Sequence, residues 1–358
     1  MTTARHVRGA TGFRRRDYFY RGPLAEAIVA VSNREGGYLT LEDFQSFEAE
    51  IVDALSIDYG DGITVYGDPP NSQGITMLLA LNILKGYDFS GVDQDDPDAV
   101  HLQVEVVKLA FAARHWYVGD PDRIDIPVEQ LLSEEHAARQ RDRINMNQAL
   151  RWPIAGGLED RRDPTHTTTF HVVDRFGNGA AVTTSLGAQF LLIGDTGIHI
   201  NNRMRMTSVE PGNANELTPG AKVRHTSCPY LALRLGRPYL LGGNTGVDTQ
   251  PQGQMQQVIN VVEFGLSAQE AIDAPRFVST AFPAGDQPWD VGNQLQMEEG
   301  FSEELLQALV ERGHEIVVGE GIFGSANMIV VSEDGTDAEV GAESRSETAF
   351  GVTVPAAA

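Results

Sequence analysis

The stretch Asp163-Pro164-Thr165-His166-Thr167-Thr168-Thr169-Phe170-His171-Val172-Val173-Asp174 decides how the rest of the chain is read. It follows a polar segment, 151–164, in which Gly156-Gly157 and the charged run 159–163 spell an exposed linker. From Thr167 the pattern is that of a strand. Thr167, Thr169 and His171 share one face, and Thr168, Phe170 and Val172 share the other. A threonine hydroxyl is a weak nucleophile until a neighbouring base takes its proton. The α-amine of the same residue is such a base, but it exists only after the chain is cut in front of it. An exposed linker gives access for that cut, and the strand behind it holds the new terminus in place. Threonine also favours strands for its own sake, so the local pattern alone leaves two readings open, a plain β-strand and a self-made nucleophile.

Working outward, the chain has 358 residues with 27 Lys+Arg against 50 Asp+Glu, a formal charge of −23. That balance argues against nucleic acid or an anionic membrane as partner. No uninterrupted apolar run approaches the ~18 residues of a membrane span. The arginines of the first twenty residues are not followed by the apolar core of a signal peptide, so a cytoplasmic location is the expectation. The single cysteine, Cys228, excludes an internal disulfide, a thiolate metal cluster and CxxC redox chemistry; before Pro229 and an apolar strand it reads as a small core residue. Only three lysines occur, Lys85, Lys108 and Lys222.

Helical spacing over 22–37 is closed by Gly36-Gly37, and a second helix over 40–50 opens with Thr40 as N-cap and Asp43 in the capping-box position. Strands at 52–58 and 62–67 lead to the turn Asp68-Pro69-Pro70-Asn71-Ser72, whose serine can cap an apolar helix at 74–86. An acidic turn, 91–98, opens a long helix at 99–117, and 128–148 reads as further charged helix. After Thr165 the pattern turns to strands at 167–174, 179–186, 198–201, 229–235 and 238–242. Helices follow at 251–264 and 267–273, then a strand–helix–strand ending. The chain therefore divides into a helix-rich region, 1–166, ending in the linker, and a sheet-rich region, 167–358.

Ordered motifs along the chain carry a resemblance. They include Phe19-Tyr20-Arg21-Gly22, Tyr38-Leu39-Thr40-Leu41-Glu42-Asp43, Pro69-Pro70-Asn71-Ser72-Gln73-Gly74, and Tyr117-Val118-Gly119-Asp120-Pro121. Later come Thr167-Thr168 ahead of Val172-Val173-Asp174, Asn201-Asn202, Gly243-Asn244-Thr245-Gly246, and Glu270-Ala271-Ile272-Asp273-Ala274-Pro275-Arg276-Phe277. From about Phe19 onward the chain resembles the γ-glutamyltranspeptidase family. The resemblance implies an α+β fold, the αββα four-layer sandwich of the N-terminal nucleophile hydrolases, truncated at its N-terminus. It implies a precursor that cuts itself between His166 and Thr167 into large and small subunits that stay associated. Thr167 is the implied nucleophile, Ser185 the second hydroxyl that orients its α-amine, and the backbone N–H groups of Gly246 and Val247 the oxyanion hole. Val247 replaces a usual glycine there, which requires a φ that a β-branched residue tolerates.

The implied substrate is a small γ-glutamyl or other acyl amide, with water or an amine as acceptor and no cofactor or metal. Around the donor the chain departs from the family. After Asn202, the Gln and Asp that hold the donor's ammonium are replaced by Arg203 and Met206. A Ser-Ser pair on its carboxylate is replaced by His225-Thr226, a contacting Asn by Gly187, and the loop 190–197 is shortened. The match begins inside the large subunit, so the stretch with the family's carboxylate-binding arginine has no counterpart in these residues. Three readings stay open: a γ-glutamyl transferase or hydrolase, an acylase for another donor, and a non-catalytic remnant or partner subunit.

Other signals are weaker. Residues 319–324 spell G-x-G-x-x-G, but Met328-Ile329-Val330-Val331 after it reads as strand, where a dinucleotide site needs a helix. The nine histidines include no HExxH. His171 reads as a hydrogen-bonded, partly buried residue with a base as the sharper alternative, and Arg345 as a structural charge partner.

Overall fold

The structure is a computed structural model, and it describes residues 15–152, 167–186, 191–285, 291–319 and 323–354. The linker from 153 on with the expected cleavage point before Thr167, Gly187, and residues 320–322 of the G-x-G-x-x-G motif lie outside the described residues. In chain order the elements begin with α1 Arg15–Tyr20, α2 Pro23–Arg34, α3 Leu41–Ser46, β1 Leu55–Gly60, β2 Ile63–Gly67, α4 Gly74–Leu84, α5 Pro97–Tyr117, α6 Val128–Leu131 and α7 Glu134–Arg141. They continue with β3 Thr167–Val173, β4 Gly179–Ser185, β5 Leu191–Leu192, β6 His199–Ile200, a 3-10 turn Arg203–Met206, β7 Tyr230–Arg234 and β8 Arg237–Asn244. The chain closes with α8 Thr249–Val262, α9 Ala268–Asp273, β9 Phe277–Ser279, β10 Gln294–Glu298, α10 Glu303–Glu311, β11 Glu315–Gly319, β12 Ala326–Val331 and β13 Ala338–Ala342.

Contacts divide these into two units, one built from residues up to Asp53 with Leu186–Asn202, the other from Ala54–Ser185 with Arg203 onward. In the first unit α2 starts on Pro23 and buries Ala25, Ile28 and Val31. Ile28 and Val31 pack with Ile193 and, at the margin, Phe19, Phe44, Ile198 and Ile200. Thr40 and Asp43 form the expected capping box, with Thr40 N donating to Asp43 Oδ2 at 2.7 Å. The helix stops at Ser46, four residues short of the expected end, where the Ser46 hydroxyl turns back onto Glu42 O.

The second unit is layered. Six antiparallel strands run in the order β1-β2-β7-β8-β12-β13. Period-two alternation sorts their side chains: Tyr230, Ala232, Ala326 and Met328 join the main core with α4, α5 and α8, while Leu231, Leu241, Ile329 and Val331 face a second cluster that includes Val173 of β3. Helices thus cover one face and the β3–β4 hairpin covers the other, giving successive α, β and β layers of the expected α+β sandwich. α4 is buried all round, every residue from Gly74 to Leu84. α5 begins two residues earlier than expected because Asp96 caps it, accepting from Asp98 N at 2.7 Å. The expected 128–148 helix is two short ones: Ser133, an N-cap with extended backbone, separates them, and the second ends at Arg141. No described helix is long and apolar enough to cross a membrane.

Buried polar groups lock the far end. Arg276, 2% exposed, meets Glu343 at 2.7 Å and Glu298 at 3.4 Å, and donates to Asn244 Oδ1 at 3.2 Å. Arg345 completes a charge-balanced quartet through Glu298 at 2.8 Å and Glu343 at 2.5 Å, which is the structural role expected of it. Arg276→Met leaves two buried carboxylates facing one partly exposed arginine. It should cost about 3–5 kcal/mol in urea unfolding, clearly more than Arg345→Gln; equal losses would mean that burial does not set the energetics here.

Burial also holds four histidines neutral. It pushes His115, His171 and His225 down to about 4 and His314 to about 3. With unfolded values near 6.5, their contribution is fully present above pH 6.5 and is lost as pH falls towards 4, by about 1.4 kcal/mol per pH unit for each group. Asp68, raised by burial to about 6, works with the opposite sign over the same interval. The melting temperature should therefore be flat from pH 8 to 7 and fall steadily between pH 6.5 and 4.5. A flat curve down to pH 4.5 would contradict the neutral assignments.

Candidate active site

The site starts from a register. In the hairpin, Thr167 stands directly opposite Ser185, and Thr169 opposite Thr183. The hairpin is closed by Asp174, whose carboxylate accepts from Phe176 N at 2.8 Å and Asn178 N at 2.9 Å. Cross-strand opposition brings Thr167 Oγ1 and Ser185 Oγ into a 2.9 Å hydrogen bond. On the same face Thr169 is buried and shares a 3.1 Å hydrogen bond with His171 Nε2. His171 is thus tied to Thr169, and burial keeps it neutral. A Cβ on Gly243 of β8 would collide with Thr169 Oγ1, so glycine at 243 is what allows the hairpin to lie against the sheet.

Arg203 joins the two hydroxyls to the segment 223–227. Its Nη2 donates to Ser185 Oγ, and its Nη1 to Thr226 Oγ1 at 3.3 Å and Met206 Sδ at 3.6 Å. His225 is neutral, through burial first and the neighbouring Arg203 charge second. The segment 223–227 is fastened to 71–73: Asn71 Nδ2 donates to Val223 O at 2.6 Å, Ser72 Oγ to Ser227 O at 2.7 Å, and Gln73 N to His225 O at 3.1 Å. Ser72 also accepts from Gly74 N at 3.2 Å, so it does support the start of α4, although the N-cap position itself is Gln73.

The turn between β8 and α8 has two successive residues of positive φ, Gly246 at 92° and Val247 at 33°. Such a turn points consecutive N–H groups into one concavity at a helix N-terminus. For a β-branched residue this backbone is strained by about 1–3 kcal/mol, so something must hold it. Gln73 Nε2 donates to Val247 O at 2.9 Å and to Thr226 O at 3.1 Å. Its Oε1 accepts from Arg114 Nη1 at 2.8 Å, and the fully buried Arg114 pairs with Asp248 and donates to Pro283 O at 2.8 Å.

Of the sequence-selected residues, Thr167, Ser185, Arg203 and Thr226 form one hydrogen-bonded chain that continues through Gln73 to Val247, and His225 and Gly246 adjoin it. Asn202 falls in the first unit, where its N–H donates to Leu186 O at 3.2 Å. The sequence reading gives no role to Gln73, Arg114 or Asp248, although Gln73 stands in the quoted motif Pro69-Pro70-Asn71-Ser72-Gln73-Gly74, at the mouth of an otherwise apolar helix. Cys228 is buried and its thiol is pushed well above the ordinary range. Among the described residues, His101, Glu105 and His314 form the one group with metal-ligand spacing, their donor atoms within 4.8 Å. The atoms of His101 and Glu105 that face the group are already engaged. His101 Nε2 faces Asn145 O at 3.0 Å, so its Nδ1 takes the His314 Nε2 proton at 2.8 Å. Glu105 accepts from Lys108 Nζ and Leu150 N, each at 2.7 Å. An ammonium on the carboxylate opposes a cation, and the cluster is a closed polar network.

Comparison with known proteins places this geometry. Residues 9–352 match the family model of gamma-glutamyltranspeptidase. The chain is 34% identical over 327 residues to the glutathione hydrolase-like YwrD proenzyme of Bacillus subtilis strain 168, covering 89% of this chain and 60% of that protein. It is 32% identical over 323 residues to the acylase ACY 1 proenzyme of Pseudomonas sp. strain SE83, covering 89% and 55%. Among solved structures, the cephalosporin acylase from Bacillus halodurans matches with a TM-score of 0.80 at 36% identity, over 92% of this chain and 58% of that one. The chain thus spans a little over half the length of these relatives. A family match along nearly the whole sequence, with identities above 30% over nine-tenths of it, settles the grouping: the chain belongs to the γ-glutamyltranspeptidase family.

Proposed function

We propose that this chain is a self-processing amidohydrolase or acyltransferase whose nucleophile is Thr167. The observation that carries the reading is the 2.9 Å bond between Thr167 Oγ1 and Ser185 Oγ at the start of a register-locked hairpin. Cleavage of the bond before Thr167 frees its α-amine, which takes the proton from Oγ1 as the oxygen attacks an amide carbonyl. The developing oxyanion is received by the N–H groups of Gly246 and Val247. The C–N bond then breaks, the amine leaves with the proton, and an ester to Thr167 remains. Water or a second amine attacks that ester and releases the acyl group. Segments 1–166 and 167–358 stay together, since they share the main core.

The donor is a small acyl amide. Arg203 favours a second reading within this class, an acyl group that carries an anion and no ammonium. A guanidinium bonded to Ser185 and Thr226 repels an α-ammonium and attracts a carboxylate.

The first test is intact mass under denaturing conditions. A cut before Thr167 divides the 358 residues into fragments of 166 and 192, and Thr167→Ala should remain one chain. An uncut wild type would favour the non-catalytic reading. The donor is tested with γ-glutamyl- and glutaryl-p-nitroanilide, which differ only in the α-ammonium. The glutaryl compound should show the higher kcat/KM, and Arg203→Met should lower it by about 10–100-fold, the worth of one charge-assisted hydrogen bond. A preference for the γ-glutamyl compound would remove the anionic-donor reading and leave the γ-glutamyl one.

A further inference from the structure

We infer that Gln73 is a positioning residue for the turn 245–248, so that the oxyanion-binding conformation of the nucleophile-bearing segment is imposed by side chains of the segment before the cut. This rests on the proposed role of Gly246 and Val247. Val247 sits at φ 33°, a conformation a β-branched residue leaves unless its carbonyl is held. The group holding it is the Gln73 amide, at 2.9 Å from Val247 O. The same NH2 reaches Thr226 O at 3.1 Å, which fixes the spacing between the turn and the residue that contacts Arg203.

The amide cannot turn away. Its Oε1 accepts from Arg114 at 2.8 Å, its backbone N–H is bonded to His225 O at 3.1 Å, and its side chain is 1% exposed. Arg114 closes the loop by pairing with Asp248, the residue after Val247, whose other oxygen accepts from Gly285 N at 2.6 Å. Two fully buried polar side chains, Gln73 and Arg114, and the largely buried Asp248 therefore converge on one strained peptide. Members of a polar network in low dielectric strengthen one another, so removing one weakens the hold of the rest. Gln73 and Arg114 precede the scissile bond, whereas Thr226, Val247 and Asp248 follow it, so neither cleavage product holds this turn by itself.

The experiment uses Gln73→Met, which keeps the volume and removes the amide, and Gln73→Glu, which keeps the acceptor for Arg114 and removes the donor. One readout is independent of activity: hydrogen exchange at Thr249 and Gln250, whose N–H groups donate to Gly246 O at 2.8 Å and Val247 O at 3.4 Å. Both variants should exchange there about tenfold or more faster, with exchange in α4 and β12 unchanged. The other readout is kinetic. In the Val247 background kcat should fall about 10–100-fold with KM within about twofold, and in a Val247→Gly background, where the backbone carries no strain, the same Gln73 substitution should cost less than about threefold. Unchanged exchange in the variant that folds overturns the inference, as does an equal kcat loss in both backgrounds. Faster exchange in a wild-type background that neither cuts itself nor turns over any donor would uphold the positioning role and sink the proposed function.

Discussion

The register of one hairpin, two strands of seven residues each, fixes the geometry of the candidate site. A strand's side chains alternate, so a slip of one residue between β3 and β4 would send Thr167 and Ser185 to opposite faces and break their hydrogen bond. The register is held from both ends. The Asp174 carboxylate sets the turn, and Thr169, pressed between His171, Thr183 and Gly243, sets the height of the strand above the sheet. The large apolar core below, with its fully buried α4, supplies the rigid floor that this arrangement needs.

On that floor, the charge bonded to Ser185 is positive. In a molecule with a formal charge of −23, the group beside the two hydroxyls is a guanidinium, and the neighbouring His225 is kept neutral by burial and by that same charge. Net charge governs solubility and encounter, but a site is governed by what lies within a few ångströms in low dielectric. The placing of Thr167 beside Ser185 and the polarity of what surrounds the pair are separate problems. The first is solved by backbone register, and the second by a few side chains that can change without disturbing it.

What the sequence disclosed follows the same division. The cap at Thr40 rests on a contact three residues long, and the hydroxyl run after a linker is itself a local pattern, whereas the cap at Asp96, equally local, goes unread and the expected helix start falls two residues late. Helix ends failed where local chemistry competed with periodicity, at Ser46 and Ser133. The buried glutamines of α8 were illegible as core: Gln252 and Gln256 each donate to and accept from the backbone of β9, at Ser279 and Phe277, in the manner of an extra strand. The Gln73–Val247 and Arg114–Asp248 contacts bridge 174 and 134 residues, and no spacing rule reaches that far.

Those long contacts explain how a β-branched residue can occupy the turn. A glycine at 247 would adopt a positive φ without strain, and the turn would need little support. With valine, the backbone is correct only while Gln73 and the Arg114–Asp248 pair hold it. The consequence is a turn held in place by side chains, which suits the oxyanion-binding role proposed for it because preorganised N–H groups need not reorganise when charge develops. The strain at Val247 is therefore coupled to the integrity of the whole second unit. Loosening α4 or the 223–227 seam, far from any reacting atom, would release the turn before it unfolded the core.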